Sequence, residues 1–293
     1  MKNRGKVLAV GMTFVLCVAC VFTSAAWAST TNTIDLENAS INPANWYLTD
    51  SAVTYDEKNL DHNNVYAPAL STWTPSGTGH SLKFEHASRS GTDKQRTEYY
   101  LAKNLPFYQM TYVGYQFSFS TDFPAPSNWA ALTQFYQLGY YNQAPMGVLE
   151  LSQSSPGKLN FVIRNDEYYS IDGVSSPNGN NLLIWQSPND LRDGKFHTLV
   201  IGFRADPAYT GGRPYGYVRI VLDGVPQTYL NSYDAPNAWA WSGKIGVPAG
   251  FHEKSFISSF YTSFGLYRGS QTNNMRVYFD NIKLGTSESD VAP

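Results

Sequence analysis

Three short stretches of the chain hold residues that could grip a carboxylate and move a proton beside it. In Gln95-Arg96-Thr97-Glu98-Tyr99-Tyr100, Arg96 and Glu98 are two apart and share a face if the stretch is a strand. In Thr133-Gln134-Phe135-Tyr136-Gln137-Leu138 the same holds for Gln134 and Tyr136. In Tyr261-Thr262-Ser263-Phe264-Gly265-Leu266-Tyr267-Arg268, Tyr261, Ser263 and Tyr267 share a face opposite Phe264 and Leu266. An Arg can hold a carboxylate through two parallel N–H···O bonds. An amide adds a donor, and both stabilise negative charge that develops when the proton next to that carboxylate is removed. A Tyr, with a free pKa of about 10, can carry that proton where a guanidinium favours the phenolate.

Other residues are candidates by position. His86, ten residues before Arg96, is a possible base, although it alternates with the apolar Leu82 and Phe84. Arg89, Lys94, Arg164, Arg219 and Arg268 could line the same groove. His197 shares alternation with Leu199, Ile201 and Phe203 and is assigned to the core. His62, His80 and His252 stand in loop-like stretches without paired ligands at metal spacing, so neither a metal nor a cofactor is expected.

The elements that must position these residues are strands. Period-two patterning with β-branched and aromatic enrichment recurs at 81–87, 95–103, 111–120, 130–138, 146–153, 158–164, 195–204, 215–223, 258–267 and 275–284. Turn pairs separate them, among them Pro156-Gly157, Asp193-Gly194 and Asp223-Gly224. No stretch makes a convincing long helix. Residues 29–80 read as an opening strand plus surface loops. The pattern predicts one all-β domain over residues 29–293, a two-sheet jelly-roll sandwich with a concave polar and aromatic face. Leu159, Phe161 and Ile163, and likewise Val218, Ile220 and Leu222, are predicted to face the core. Asn160 and Arg164, with Tyr217 and Arg219, are predicted on the opposite faces.

Residues 1–28 read as an export signal: Lys2, Arg4 and Lys6, an apolar run from Val7 to Phe22, then Ala26-Trp27-Ala28 before Ser29. Three of the 21 basic residues leave with it while all 23 acidic ones stay, so the formal charge moves from −2 to −5. Both cysteines, Cys17 and Cys20, leave too, so no disulfide, Cys nucleophile or Cys–metal site is expected in the mature chain. Charged residues make up only 15% of the sequence, against about 25% typically, so the surface is neutral-polar. No global basic footprint for nucleic acid exists, and no second apolar run is long enough to span a bilayer. A secreted or periplasmic monomer without a membrane or nucleic-acid partner is expected.

Taken in order, R-T-E in one strand, Q-x-aromatic in a middle strand, and Y-x-x-x-G-x-Y-R followed by Y-F-D-N-I-K-L-G resemble the jelly-roll polysaccharide lyases. These are the alginate lyase, glucuronan lyase and heparin lyase I group, with a concanavalin-like sandwich. The resemblance spans roughly residues 80–285. It implies β-elimination in an acidic polysaccharide, with Arg96, Gln134, Tyr136 and Tyr267 as catalytic residues. Around them His86, Arg89, Lys94, Glu98, Arg164, Tyr261 and Arg268 are expected to bind substrate. Two positions depart from the family pattern: Tyr136 stands where a His is usual, and Ser263 where a Lys is common. The first is compatible with a syn-elimination in which one Tyr serves as base and then acid. A non-catalytic, lectin-like sugar-binding protein on the same sandwich is the alternative. A laminarinase-type hydrolase fits poorly, because E-x-D-x-x-E is absent and Glu150 stands alone.

Overall fold

The structure, a computed structural model, describes residues 32–50, 53–56, 66–91, 94–106, 109–137, 145–152, 155–164, 170–171, 174–175, 181–204, 216–228, 244–245 and 259–293. The stretch read as an export signal lies outside these. So do His62 and His252. Among the described residues lie twelve strands of three residues or more. They are β1 (Ala69–Ser71), β2 (Ser81–His86), β3 (Lys94–Pro106), β4 (Thr111–Phe119), β5 (Ala130–Gln137), β6 (Gly147–Ser152), β7 (Ser155–Arg164), β8 (Asn181–Gln186), β9 (His197–Arg204), β10 (Gly216–Leu222), β11 (Ser259–Gly269) and β12 (Met275–Gly285).

Two antiparallel sheets take up these strands. A six-stranded sheet runs β8-β7-β6-β5-β11-β3, and a nine-stranded sheet has β10-β9-β4-β12-β2-β1 as its main path. Half of the neighbours along these paths are distant in sequence, as in β11 between β3 and β5. That crossing of the chain between sheets is the jelly-roll signature, so the all-β, two-sheet expectation holds. No helix among the described residues is long and apolar enough to cross a membrane.

The core is the slab between the sheets, and it is largely phenylalanine. Phe135 of β5 stacks on Phe203 of β9 at 4.4 Å. Phe264 of β11 meets Phe84 of β2 edge-on at 6.0 Å and Phe279 of β12 at 5.5 Å. Truncating one such buried ring to Ala removes about 3–5 kcal/mol. One polar pair bridges the slab: the Tyr115 hydroxyl lies 2.7 Å from Thr133 Oγ1. Leu159, Phe161, Val218, Ile220 and Leu222 all face this core, as the alternation predicts.

Strand β8 is not among the segments that alternation picks out. Its sequence Asn-Leu-Leu-Ile-Trp-Gln lacks a period of two, because its pairing with β7 shifts by one residue between Phe161 and Val162. Residues 32–50 and 53–56 form short pieces: Asn32–Thr33 pairs with β12, and Ser40–Ile41, Leu48–Thr49 and Thr54–Tyr55 make a small sheet. A closing helical turn, Glu288–Val291, is capped by a Ser287–Asp290 box and buries Val291 against Val200 and Val221 of the nine-stranded sheet. Glu288 there ion-pairs with Arg219 at 3.0 Å. Arg219 thus belongs to the far side of the other sheet, and the expectation that it lines the groove is corrected.

Candidate active site

The three stretches singled out by sequence lie on β3, β11 and β5, which are direct neighbours in the six-stranded sheet. Register places Arg96 opposite Tyr267 and Glu98 opposite Gly265. It places Gln134 opposite Ser263 and Tyr136 opposite Tyr261. Arg96, Glu98, Gln134, Tyr136, Tyr261, Ser263 and Tyr267 therefore share one face, turned away from the core. Between them, Thr97, Tyr99, Thr133, Phe135 and Phe264 point into the slab.

Glu98 is the hub of this face. It is 0% exposed, and a buried carboxylate requires partners. Gln134 Nε2 donates to its Oε1, and Ser263 Oγ donates to the same oxygen at 3.2 Å. Arg96 Nε stands 3.0 Å from Oε2 as an ion pair. The guanidinium plane of Arg96 lies over the Tyr267 ring, 3.7 Å from its centroid. Trp129, just before β5, meets that ring edge-on at 4.7 Å. Tyr267 is thus held by a cation on its face and an indole at its side. Arg96 keeps a quarter of its side chain exposed, 25%, whereas Gln134 is 1% exposed.

Gly265 is required in the Y-x-x-x-G-x-Y-R stretch. Its φ is +147°, and a Cβ there would fall onto the Thr97 carbonyl and the Glu98 backbone. The glycine lets β11 close on β3 at the point where Glu98 turns to its partners.

At the other end of the face stands a row of tyrosines. Tyr136 and Tyr261 are stacked at 5.2 Å with planes 14° apart, and Tyr100 meets Tyr261 edge-on at 5.0 Å. Burial pushes the Tyr136 phenol up; the Arg96 charge opposes this and Tyr267 adds to it. Tyr261 is raised well above the tyrosine range, first by burial and then by Tyr100, Glu98 and Tyr136. Both phenols are therefore neutral hydrogen-bond donors at physiological pH. Lys103 Nζ lies 4.4 Å over the Tyr100 ring and ion-pairs with Asp56.

Two expected substrate-binding residues are not on this face. His86 is 0% exposed between the sheets, with Nε2 3.2 Å from Thr97 Oγ1. Burial, helped by the Arg268 charge, holds its imidazole well below the usual range, so as placed it is a neutral interior side chain and cannot meet a substrate. Arg268 is also 0% exposed. It donates from Nε to Gln95 Oε1 at 2.8 Å, from Nη1 to Asn273 O at 2.8 Å, and from Nη2 to the carbonyls of His86 and Ala87. Burial lowers its pKa to about 10, which leaves it charged at neutral pH. Being the next residue after Tyr267, Arg268 must point the opposite way.

Lys94 is exposed and lies two positions from Arg96, on its face. Arg89 precedes β3, its backbone N–H bonded to Gln271 O at 2.7 Å. Arg164 ends β7, and its side chain lies outside the described residues. His197 is not a core residue. Its ring nitrogens lie 2.9 Å from Asp223 Oδ2 and 3.1 Å from Asp193 Oδ1, at the strand end where the apolar row stops. Among the described residues, no group of three or more His, Cys, Asp or Glu side chains is placed to hold a metal ion.

Sequence reasoning missed Tyr100, Trp129 and Lys103. Tyr100 follows the alternation of Arg96 and Glu98 and could have been found. Lys103 could not, because Leu101 and Ala102 both turn toward the core at a bulge, where β11 pairs Thr262 with Ala102 but Ser263 with Tyr100. That shift carries Lys103 to the face of Tyr100 against a simple period of two.

No protein-family model matches the sequence, and comparison with curated proteins gives no match. Solved structures do share the fold. An endo-β-1,4-glucuronan lyase from the fungus Trichoderma reesei superposes with a TM-score of 0.56 at 16% identity, covering 82% of this chain and 97% of that one. Alginate lyase AlyC3 gives a TM-score of 0.47 at 12% identity over 88% of this chain and 90% of that one. Alginate lyase A1-II', described as a member of polysaccharide lyase family 7, gives 0.46 at 12% over 87% and 97%. The likeness to the glucuronan lyase establishes a common jelly-roll fold.

Proposed function

We propose that this protein is an exported, monomeric polysaccharide lyase that cleaves a uronic-acid-containing polymer, alginate- or glucuronan-like, by β-elimination. The observation that carries the reading is the convergence of Arg96, Gln134, Tyr136 and Tyr267 on one face of three adjacent strands. The shared fold of the glucuronan lyase supports it. The amino-terminal stretch supports export to a secreted or periplasmic location.

The chemistry needs the proton on C5 of a uronate to leave although a carboxylate sits beside it. Arg96 receives that carboxylate and offsets the charge that builds on it in the transition state, while Gln134, buried and donating to Glu98, backs the carboxylate that anchors Arg96. Glu98 fixes both, as the common partner of the guanidinium and the amide. Tyr267 takes the C5 proton as its phenolate. The C5–H electron pair becomes the C4=C5 bond, the C4–O4 bond breaks, and Tyr267 returns a proton to the departing O4 from the same side. Tyr136, kept neutral, donates a hydrogen bond nearby. Substrate attraction is local, since −5 overall is the wrong sign for steering a polyanion. Lys94 and Arg96 put positive charge on the site face itself.

A sugar-binding protein without catalysis is favoured by one observation: the usual His is a Tyr whose phenol is pushed up, suited to donate and poor as a base. Hydrolysis by two carboxylates is disfavoured. Glu98 and Glu150 are three strand spacings apart, roughly 14 Å, whereas a retaining pair needs carboxyl groups about 5–5.5 Å apart. The deciding experiment follows the ultraviolet absorbance of the unsaturated product with alginate, glucuronan and heparin. The lyase reading expects product from one of them. Binding of the polymer without product would establish the sugar-binding alternative.

A further inference from the structure

The site face carries positive charge at both ends, with Arg96 at one. At the other end stands Lys103, its ammonium 4.4 Å over the Tyr100 ring. The row then continues through Tyr261 to Tyr136 by ring contacts of 5.0 and 5.2 Å. Lys103 is thus joined by direct contacts to the residue beside Gln134. Seven positions along β3 separate Lys103 from Arg96, roughly 20 Å after allowing for the bulge.

Lys103 already holds a carboxylate. Asp56 ion-pairs with it, and both side chains are well exposed, 44% and 41%. The segment that presents Asp56 is tied to the edge of the six-stranded sheet, where Tyr100 N–H donates to Asp56 O at 3.2 Å. The aspartate therefore stands at the margin of the site face, with its anionic end on the one ammonium that the tyrosine row leads to. Exposed ion pairs contribute little to stability, so one carboxylate can exchange for another there at small cost.

We propose that Lys103, walled by Tyr100, is a second carboxylate-binding subsite, and that Asp56 occupies it in the unbound protein as an internal stand-in for the ligand. The ligand is a uronate oligosaccharide long enough to reach both Arg96 and Lys103. This rests on the lyase reading of the same face. Tyr100 supplies an apolar, π-bearing wall that favours a cation beside it. A long acidic chain is then gripped at two charged points, and a short one at Arg96 alone.

The test is calorimetric titration of a uronate disaccharide and a uronate octasaccharide into protein carrying Tyr267→Phe, so that no turnover occurs. Lys103→Met is expected to weaken the octasaccharide by roughly three- to ten-fold, several-fold more than the disaccharide. Lys103→Arg is expected to restore binding. Asp56→Asn removes the stand-in and is expected to tighten the octasaccharide by a similar factor. Thermal midpoints close to that of the parent show that the fold is intact. If Lys103→Met and Asp56→Asn shift both lengths equally or not at all, while Arg96→Ala abolishes binding, the second subsite is wrong and the Arg96 centre stands. If the parent binds neither oligosaccharide, the lyase reading falls and this inference falls with it.

Discussion

Strands β3 and β11 carry two arginines one residue out of step, Arg96 opposite Tyr267 and Arg268 opposite Gln95, and the two have opposite fates. Arg268 points into the slab and is closed off by four acceptors: one side-chain amide and three backbone carbonyls. Arg96 points outward, is anchored at Nε by Glu98, and lays its plane on an aromatic ring at the surface. The same chemistry thus serves as a staple on one face of the sheet and as a receptor on the other. The difference teaches that residue type and neighbourhood in the sequence do not mark a binding arginine. What marks it is the face, and whether the acceptors around it belong to the protein.

That contrast can be broken by exchange of function for stability. The largest effect is expected for Arg268→Ala. It strips a buried side chain that makes four hydrogen bonds between the sheets and leaves Gln95 and three carbonyls short of a donor, a loss of about 3–5 kcal/mol. Denaturant unfolding should show this, with activity lost only as the fold is lost. Next is Tyr267→Phe. If the phenol carries the proton, turnover falls by about 10²–10⁴, while calorimetric binding of a uronate oligosaccharide persists.

Arg96→Ala should then lower kcat/KM by about 10²–10³. Its midpoint should fall less than that of Arg268→Ala, because Glu98 keeps Gln134 and Ser263. An equal loss of stability in the two arginine variants would erase the distinction between staple and receptor.

The smallest effect concerns pH. His86 is held neutral in the folded protein, far below its ordinary value, while the unfolded chain takes up a proton at about 6.5. The stability tied to this is present above about pH 6.5 and is lost as pH falls below it. His86→Gln should flatten the acid limb of a midpoint-against-pH curve without altering the neutral plateau. A variant with the parent's acid limb would mean that His86 is not the interior neutral group described.

Much of this was legible in the sequence, for a simple reason. Period-two alternation reports which side of a strand faces the slab, and Phe84, Phe135, Phe203, Phe264 and Phe279 all obey it. Arg96, Glu98, Gln134 and Tyr267 could be grouped by face before their strands were known to be neighbours. Alternation also placed Arg268 opposite Tyr267, and His86 with Leu82 and Phe84. Their expected place in the substrate set runs against that signal, and the structure follows the signal, with both side chains 0% exposed. What could not be read is where alternation breaks. The bulge at Leu101 and Ala102 brings Lys103 to the site face, and the shift opposite Val162 hides strand β8. Nor does sequence reveal that Glu98 is the shared partner of Arg96, Gln134 and Ser263, since those residues meet only through the pairing of β3, β11 and β5.

The central claim is that the outward face of these three strands performs β-elimination. Its most direct test is product absorbance in the ultraviolet from purified protein with alginate, glucuronan and heparin, with Arg96→Ala in parallel. The account predicts unsaturated product from at least one polyuronate, nearly abolished in the variant at an unchanged fold. No product from any of them, or equal product from parent and variant, would contradict it.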